Sequence, residues 1–454
     1  MKVYVNGILL KKGLEIKIEG QKSYRPFNLE YPKRVWEMYP AQNRKALLDN
    51  LSFVSTCHLP FQNPKIAEIN FNGYRPVVEA SYFKNLFYTI PFDAYMNKQK
   101  SADLYRILLN TDFHFRKERK LLDLPPARIK LNREKAIIPF TFGKDSLLTY
   151  AMSIKLGISP RLMFIIEPKE LYADKHKREM LKQFNAEFGQ DVTFFLNPSG
   201  ILRDDSAGNG WFGWELLLTS FTLFSLPFAY YDKAKYILFS NEASCNESIK
   251  NEEGIIFNPV YEQSENWTRE ESLIAQAVSG QDIKVASIVG PLHEIAIVKI
   301  LHTQFPEIGK YQMSCFADRP EAENKRWCAA CCKCARNYIF LLANGIDPKT
   351  VGFTDDLLQE RYKSLYSIFE DTDGKEGYDA TELGRDEQML AFLMAYQKGS
   401  RGPLMSEFKK KYYAQARKKE PQLRRKYLRV QPSGVLPDEF QKAIISYFER
   451  VITQ

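Results

Sequence analysis

Two stretches of the chain place reactive residue types at spacings that could do chemistry. The first is Phe140-Thr141-Phe142-Gly143-Lys144-Asp145-Ser146-Leu147-Leu148. A short apolar strand, AIIPFT from Ala136, leads into it. Helical apolar spacing from Ser146 to Leu156 follows, with Gly157 placed as a C-cap. Gly143 lets the backbone turn tightly. Loop amides and the first helical turn, aided by the helix dipole, then form an anion site suited to phosphate. Lys144 is read as neutralising phosphate charge. Asp145 is read as holding Mg²⁺ or a loop amide, and Ser146 as capping the helix and touching phosphate. The Walker A spacing is absent.

The second stretch holds most of the cysteine. Of seven cysteines (57, 245, 315, 328, 331, 332 and 334), five lie between positions 315 and 334. Cys315, Cys328, Cys331 and Cys334 have the spacing C-x12-C-x2-C-x2-C. CxxC turns put two thiolates on one side of a knuckle, and four thiolates complete a closed Zn²⁺ site. An iron–sulfur cluster is the rival, but the usual fourth ligand followed by Pro is missing. Cys332 is read as a non-ligand that points away; a persulfide on it is the minor alternative. Glu242 and Glu262 are candidate bases or Mg²⁺ contacts, with exposed carboxylates after a strand as the plain alternative. His293 sits where it could meet phosphate, but reads as facing solvent at a helix start.

The loop resembles the SGGKDS loop of the N-type ATP pyrophosphatases, or PP-loop family. Gly143-Lys144-Asp145-Ser146 matches its GKDS. Thr141 stands for the first Ser, and Phe142 stands where that family has Gly. Pro291 to Lys299 looks like the proline-led segment after the final strand of that superfamily. The knuckle, of the form SC…WCxxCxxC, looks like that of 7-cyano-7-deazaguanine synthases. Arg326 to Cys334, with Phe340-Leu341-Leu342, is closer still to the ATP-dependent UDP-N-acetylmuramoyl-L-alanyl-L-glutamate epimerases. Asn241-Glu242-Ala243-Ser244 resembles that family's Asn-Glu-x-Ser segment, and Val260 to Trp267 takes the place of its His-Gln-Trp-Ser-Lys-Ser stretch. The resemblance covers roughly residues 30–360. It implies a PP-loop fold, ATP bound by residues 141–146, and catalysis by Lys144, Asp145 and Glu242. The implied reaction is attack of a substrate carboxylate on the α-phosphate of ATP. Pyrophosphate is released and an acyl-adenylate forms, followed by an epimerase-like or ligase-like outcome. The implied cofactors are ATP, Mg²⁺ and Zn²⁺.

These residues need a scaffold. From Ala136, strands recur at LMFIIE (162–167), VTFFL (192–196), YILFS (236–240) and VASIV (285–289), with helical stretches between them. This alternation predicts an α/β fold: a doubly wound parallel sheet with the loop at the C-terminal end of its first strand. Residues 1–128 read as a mixed α+β domain that opens with a hairpin (Met1–Val5, Leu14–Ile18), has a helix near Ala46–Val54, and ends at a Pro125-Pro126 linker. Its aromatics Tyr74, Tyr82, Phe83, Phe87, Tyr88, Phe92 and Tyr95 read as a local core. Residues 129–350 form the nucleotide domain and carry the knuckle. Residues 351–454 read as a helical, basic region.

Composition agrees with an ordinary enzyme. The chain has 454 residues, 44% hydrophobic and 26% charged, and a net charge of +9. That excludes disordered, collagenous and coiled-coil classes and suits an anionic partner. The first apolar run is too short for a signal peptide, so a cytoplasmic location is expected. Trp211 to Tyr231 is long and apolar, but Glu215 and Pro227 interrupt it; it reads as a helix buried between layers, not as a membrane span. Lys409–Lys411, Arg417–Lys419 and Arg424–Lys426 interleave with Tyr and could meet RNA, although a solvated helix face is the commoner cause. The expected partner is a small-molecule or nucleotide-linked carboxylate. The alternatives are a deazaguanine-synthase-like protein of an antiviral defence or macromolecule-modification pathway, and a tRNA-modifying or RNA-binding protein. No oligomeric state is read from the sequence.

Overall fold

The computed structural model describes residues 1–20, 25–117, 129–168, 171–190, 192–203, 210–251, 253–315, 320–369, 379 and 381–453. The Pro125-Pro126 linker lies outside these residues. The chain is α/β, with two five-stranded sheets. The first holds β1 (Lys2–Leu10), β2 (Gly13–Glu19), β3 (Phe27–Glu30), β4 (Glu68–Tyr74) and β5 (Asp112–Lys117). Its order is β3-β2-β1-β4-β5. The β1–β2 and β2–β3 pairs are antiparallel, and the β1–β4 and β4–β5 pairs parallel.

The second sheet holds β6 (Asn132–Pro139), β7 (Ser159–Ile166), β8 (Val192–Leu196), β9 (Ala234–Phe239) and, after a two-stranded ladder of β10 (Ile249–Lys250) and β11 (Ile256–Phe257), β12 (Lys284–Ser287). Every pair in it is parallel and the order is β12-β9-β6-β7-β8. The chain thus starts in the middle at β6, winds outward through β7 and β8, then crosses to β9 and β12. The order reverses between β6 and β9, and in open α/β sheets the ligand crevice lies at such a point, beyond the carboxyl ends of the strands.

Period-2 alternation sends each strand's side chains to two buried faces. Ala136, Ile138, Leu162, Phe164, Tyr236, Leu238 and Ala286 face one hydrophobic cluster. Ile137, Met163, Ile237, Phe239 and Val285 face the other. The first cluster is closed by the helices Lys144–Lys155, Leu171–Phe188 and Glu294–Gln304 and by the C-terminal helices.

The second face explains the long apolar run. Helix Leu217–Asp232 lies against it with Leu223, Phe224, Leu226 and Phe228 buried. The N-terminal residues cover its other side: Tyr31 meets Phe195 and Phe228 at centroid distances of 5.0 and 5.6 Å. One cluster therefore runs from Val3 in β1 to Val285 in β12. Among the described residues, no helix is long and apolar enough to cross a membrane.

One expectation is corrected here. Of the seven aromatics read as an N-terminal core, only Tyr82 is buried, while Phe83, Phe87, Tyr88 and Tyr95 are exposed. Helix Val78–Met96 buries Val78, Tyr82, Leu86 and Ile90, at helical spacing, and turns the other rings outward. The local core is built instead from Trp36, Tyr39, Leu47, Leu51 and Phe53.

Leu226 is fully buried between the two layers. Leu226→Ala should lower stability by about 2–5 kcal/mol in urea unfolding followed by circular dichroism. The transition should stay single, because both sheets share this cluster.

Candidate functional site

The loop sits where the order of the second sheet reverses. β6 ends at Pro139, and helix Lys144–Lys155 begins directly after Gly143. Thr141 is exposed at the mouth and Ser146 is buried below it. Their hydroxyls lie 3.4 Å apart, the Gly143 amide donates to Thr141 Oγ1 at 3.3 Å, and Ser146 Oγ donates to the Gly143 carbonyl at 3.1 Å. Phe142 has φ of 60°, the left-handed region where Gly is at ease and other residues are strained. Its ring is fully buried, 4.8 Å from Phe140 and 5.6 Å from Phe184. The side chain is thus committed to the core, and the backbone is what this position gives the loop.

Lys144 is buried at the base of the loop, with Nζ 2.8 Å from Asp145 Oδ2 and 3.0 Å from Glu294 Oε2. Arg336 reaches the same Glu294 oxygen at 3.2 Å and Asp379 at 3.1 Å. The Lys144 and Arg336 contacts to Glu294 Oε2 are both ionic, with Oε2 making no aligned hydrogen bond. Glu387 accepts the Ile295 amide at 2.9 Å, in the first turn of the Glu294 helix.

Burial and pairing divide these groups. Burial would raise the Glu294 pKa, but Arg336 and Lys144 overcome it and hold it at about 2. Burial opposes the Lys144 charge, yet Asp145 and Glu294 raise its pKa above the usual value. Burial raises Asp145, against the pull of Lys144. Glu242 is raised to about 8 by burial, then by Glu294. It caps a short turn after β9, accepting the Ser244 amide at 2.7 Å and the Ser244 hydroxyl. The structure therefore brings Lys144, Asp145 and Glu242 into one electrostatic neighbourhood.

Glu262 does not join them. Its titratable neighbours are Glu215, Arg203, Asp93 and Glu271; Oε2 accepts the Leu218 amide at 3.3 Å, and burial raises it to about 8. His293 is corrected: it is buried, not solvent-facing, and its ring meets Tyr427 edge-on at 4.9 Å. Burial, then Lys426, lowers its pKa to about 3.

Cys315, Cys328, Cys331 and Cys334 come together, with all four sulfurs within 4.8 Å of one another. Cys334 Sγ lies 3.6 Å from Cys328 Sγ and 3.5 Å from Cys331 Sγ. A tetrahedron with bonds of about 2.3 Å has edges of about 3.8 Å, so the set could hold a metal ion such as zinc. Cys332 is outside the set and donates to the Asp379 carboxylate. Among the described residues no three carboxylates converge in the same way. Asp145 Oδ1 is buried without a hydrogen-bond partner, which leaves one carboxylate oxygen at the loop able to meet a cation.

The knuckle also touches the loop. The Met313 amide donates to the Phe142 carbonyl at 2.8 Å, and Ser314 Oγ accepts the Lys144 amide at 3.2 Å. The sequence reading assigned no role to Ser314, Glu294, Arg336, Asp379 or Glu387. For Glu294 a signal existed: an acidic residue in the first turn of the helix that follows β12. No local pattern marks the other four.

No protein-family model matches the chain, and no curated protein matches it.

A free carboxyl ionises near 4.5, whereas folded Glu262 holds its proton to about 8. Between those values the unfolded state binds fewer protons, so stability falls as pH rises. Urea midpoints at pH 5, 6.5 and 8 should decline in the parent protein, and decline less in Glu262→Gln.

Proposed function

We propose that the protein is an ATP-dependent adenylating enzyme that activates a substrate carboxylate and releases pyrophosphate. The observation that carries this reading is the Gly143-Lys144-Asp145-Ser146 turn at the reversal point of a wholly parallel sheet. That strand order supports the doubly wound, PP-loop-type fold, and the crevice there is the usual ligand position in such sheets. The resemblance to ATP pyrophosphatases supplies the nucleotide.

In this reading Lys144 and the loop hold the β- and γ-phosphates as the leaving unit, the Thr141, Gly143 and Lys144 amides exchanging their Ser146, Thr141 and Ser314 hydroxyl acceptors for phosphate oxygens. A carboxylate oxygen of the substrate attacks the α-phosphorus. The bond between that phosphorus and the bridging oxygen breaks, and pyrophosphate leaves with the electron pair. Lys144 stabilises the charge that develops there, fixed beforehand by Asp145 and Glu294. Mg²⁺, when bound, neutralises phosphate oxygens, and Asp145 Oδ1 is the protein oxygen free to meet it.

The adenylate then passes its acyl group to a nitrogen nucleophile, and AMP departs. Epimerisation would instead need a base for the α-proton. The ligase outcome is favoured because both Glu242 oxygens are already committed to the Ser244 amide and hydroxyl, so that carboxyl is not free to take the α-proton. The knuckle holds structural Zn²⁺ on its four thiolates; four protein ligands leave no open position for substrate. The location proposed is cytoplasmic, where cysteines at such spacing serve metals more often than disulfides.

Incubation with ATP and a panel of carboxylates should yield AMP and pyrophosphate, resolved by phosphorus NMR. Lys144→Ala should slow turnover by about a hundredfold, the loss usual for one charge-stabilising group. ADP as the product, or an unchanged rate in Lys144→Ala, would mean that the loop serves another chemistry.

Purified protein should carry one zinc per chain by plasma mass spectrometry. Cys328→Ser should lose the metal and the cooperative unfolding transition together, since closed sites contribute folding energy. Iron in the pure protein, or full metal content in Cys328→Ser, would refute the zinc assignment.

A further inference from the structure

A second cavity lies away from the loop. Helix Glu294–Gln304 starts at the buried charge cluster, and Thr303 is roughly 13 Å further along it at 1.5 Å per residue. Its far end meets the last turns of four other helices: Cys332–Ala343, Glu382–Gln397, Tyr413–Tyr427 and Gln441–Thr453. They border an open cleft of about 1040 Å³.

Its lining is one-sided. Lys299, Lys398, Arg424, Arg425 and Arg429 contribute five cations, and among the described residues no carboxylate lines the cavity. Met394, Leu428, Val451 and Ile452 give it an apolar wall. Arg424 is bonded to Glu420 at 2.8 Å, and Lys299 donates to the Ile452 carbonyl at 2.8 Å. Among the described residues, Lys398, Arg425 and Arg429 have no ion-pair partner. Burial, then Lys398 and Arg424, lowers the Lys299 pKa, and no acid opposes them.

Helix ends account for part of this charge. Each C-terminus carries roughly half a negative charge, so five offset about half of five cations. The remainder is a net positive face that suits an anion. Part of the remaining basic C-terminal sequence is engaged elsewhere: Lys411 pairs with Glu407, Arg417 with Glu420, Lys419 with Asp386 and Lys426 with Glu247. No aromatic ring among the described residues lines the cavity for a base to stack on, which weighs against RNA. The volume matches that of a small-molecule site.

We propose that this cavity binds a small organic phosphate with an aliphatic body. Arg425, Arg429 and Lys398 take the phosphoryl group, and Met394, Leu428 and Val451 take the apolar part. A phosphate monoester brings close to two negative charges and three acceptor oxygens, which suits several cations better than one carboxylate does.

Calorimetric titration of the full chain with octyl phosphate tests this, with octanoate, inorganic phosphate, oligo-uridine and phosphatidic-acid vesicles as comparison probes. Octyl phosphate should bind with one-to-one stoichiometry. Octanoate and inorganic phosphate should each bind at least about tenfold more weakly, since each lacks half of the recognised chemistry. Arg425→Glu with Arg429→Glu, both exposed positions, should weaken octyl phosphate by more than about tenfold, with the melting temperature and ATP cleavage unchanged. Equal affinity in parent and double variant would overturn the proposal, as would octanoate binding equally well. Binding of oligo-uridine or of vesicles without binding of monomeric octyl phosphate would overturn it in favour of a nucleic-acid or a membrane surface.

Discussion

Lys144 and Arg336 are charged side chains taken out of water, and the architecture around the loop follows from the need to compensate them. An unpaired buried charge costs several kcal/mol, and breaking a buried pair by removing one partner costs about as much. Glu294 answers both cations at once, and Asp379 takes the second contact of Arg336. These partners come from the loop helix, the helix after β12, the helix that follows the knuckle, and the segment before Glu382–Gln397. The pairs close only when all four segments are in place. A loop built on a buried cation therefore also requires the C-terminal third of the chain to fold against it.

The cysteine knuckle adds a second restraint on the same loop. Met313 and Ser314 immediately precede Cys315 and make the contacts to Phe142 and Lys144. Cys334 lies two residues before Arg336 on one helix. A metal ion on the four thiols would fix both ends of this arrangement: the strand of chain that clamps the loop, and the helix that presents the guanidinium. Metal binding and loop geometry are then one mechanical unit.

Much of this could be read from residue order, for physical reasons. The five strands of the second sheet stood out because a parallel sheet buried on both faces shows as short apolar runs. The loop and the cysteines stood out because their chemistry depends on local spacing. Glu294, Arg336 and Asp379 did not, because their pairing exists only in three dimensions. The misreadings have the same origin. Phe83, Phe87, Tyr88 and Tyr95 look like core by composition, yet the face of the helix decides, and the phase is set by Tyr82, Leu86 and Ile90. His293 looks like an exposed helix start until Tyr427, from far along the chain, packs over it.

Phe142 draws these threads together. A left-handed non-glycine residue costs about 1–2 kcal/mol. Full burial of a Phe side chain recovers about 1.5–3 kcal/mol. Here the ring sits among Phe140, Phe184 and Tyr311, so the packing term offsets the backbone term at the same residue. The turn that Gly would make through its freedom is made here by an anchor. An anchored loop has fewer conformations to lose on meeting any ligand, whereas a glycine loop must be ordered by the ligand itself. Replacement by Gly would relax the backbone and empty the aromatic pocket together, so its effect on stability and its effect on loop order have one cause.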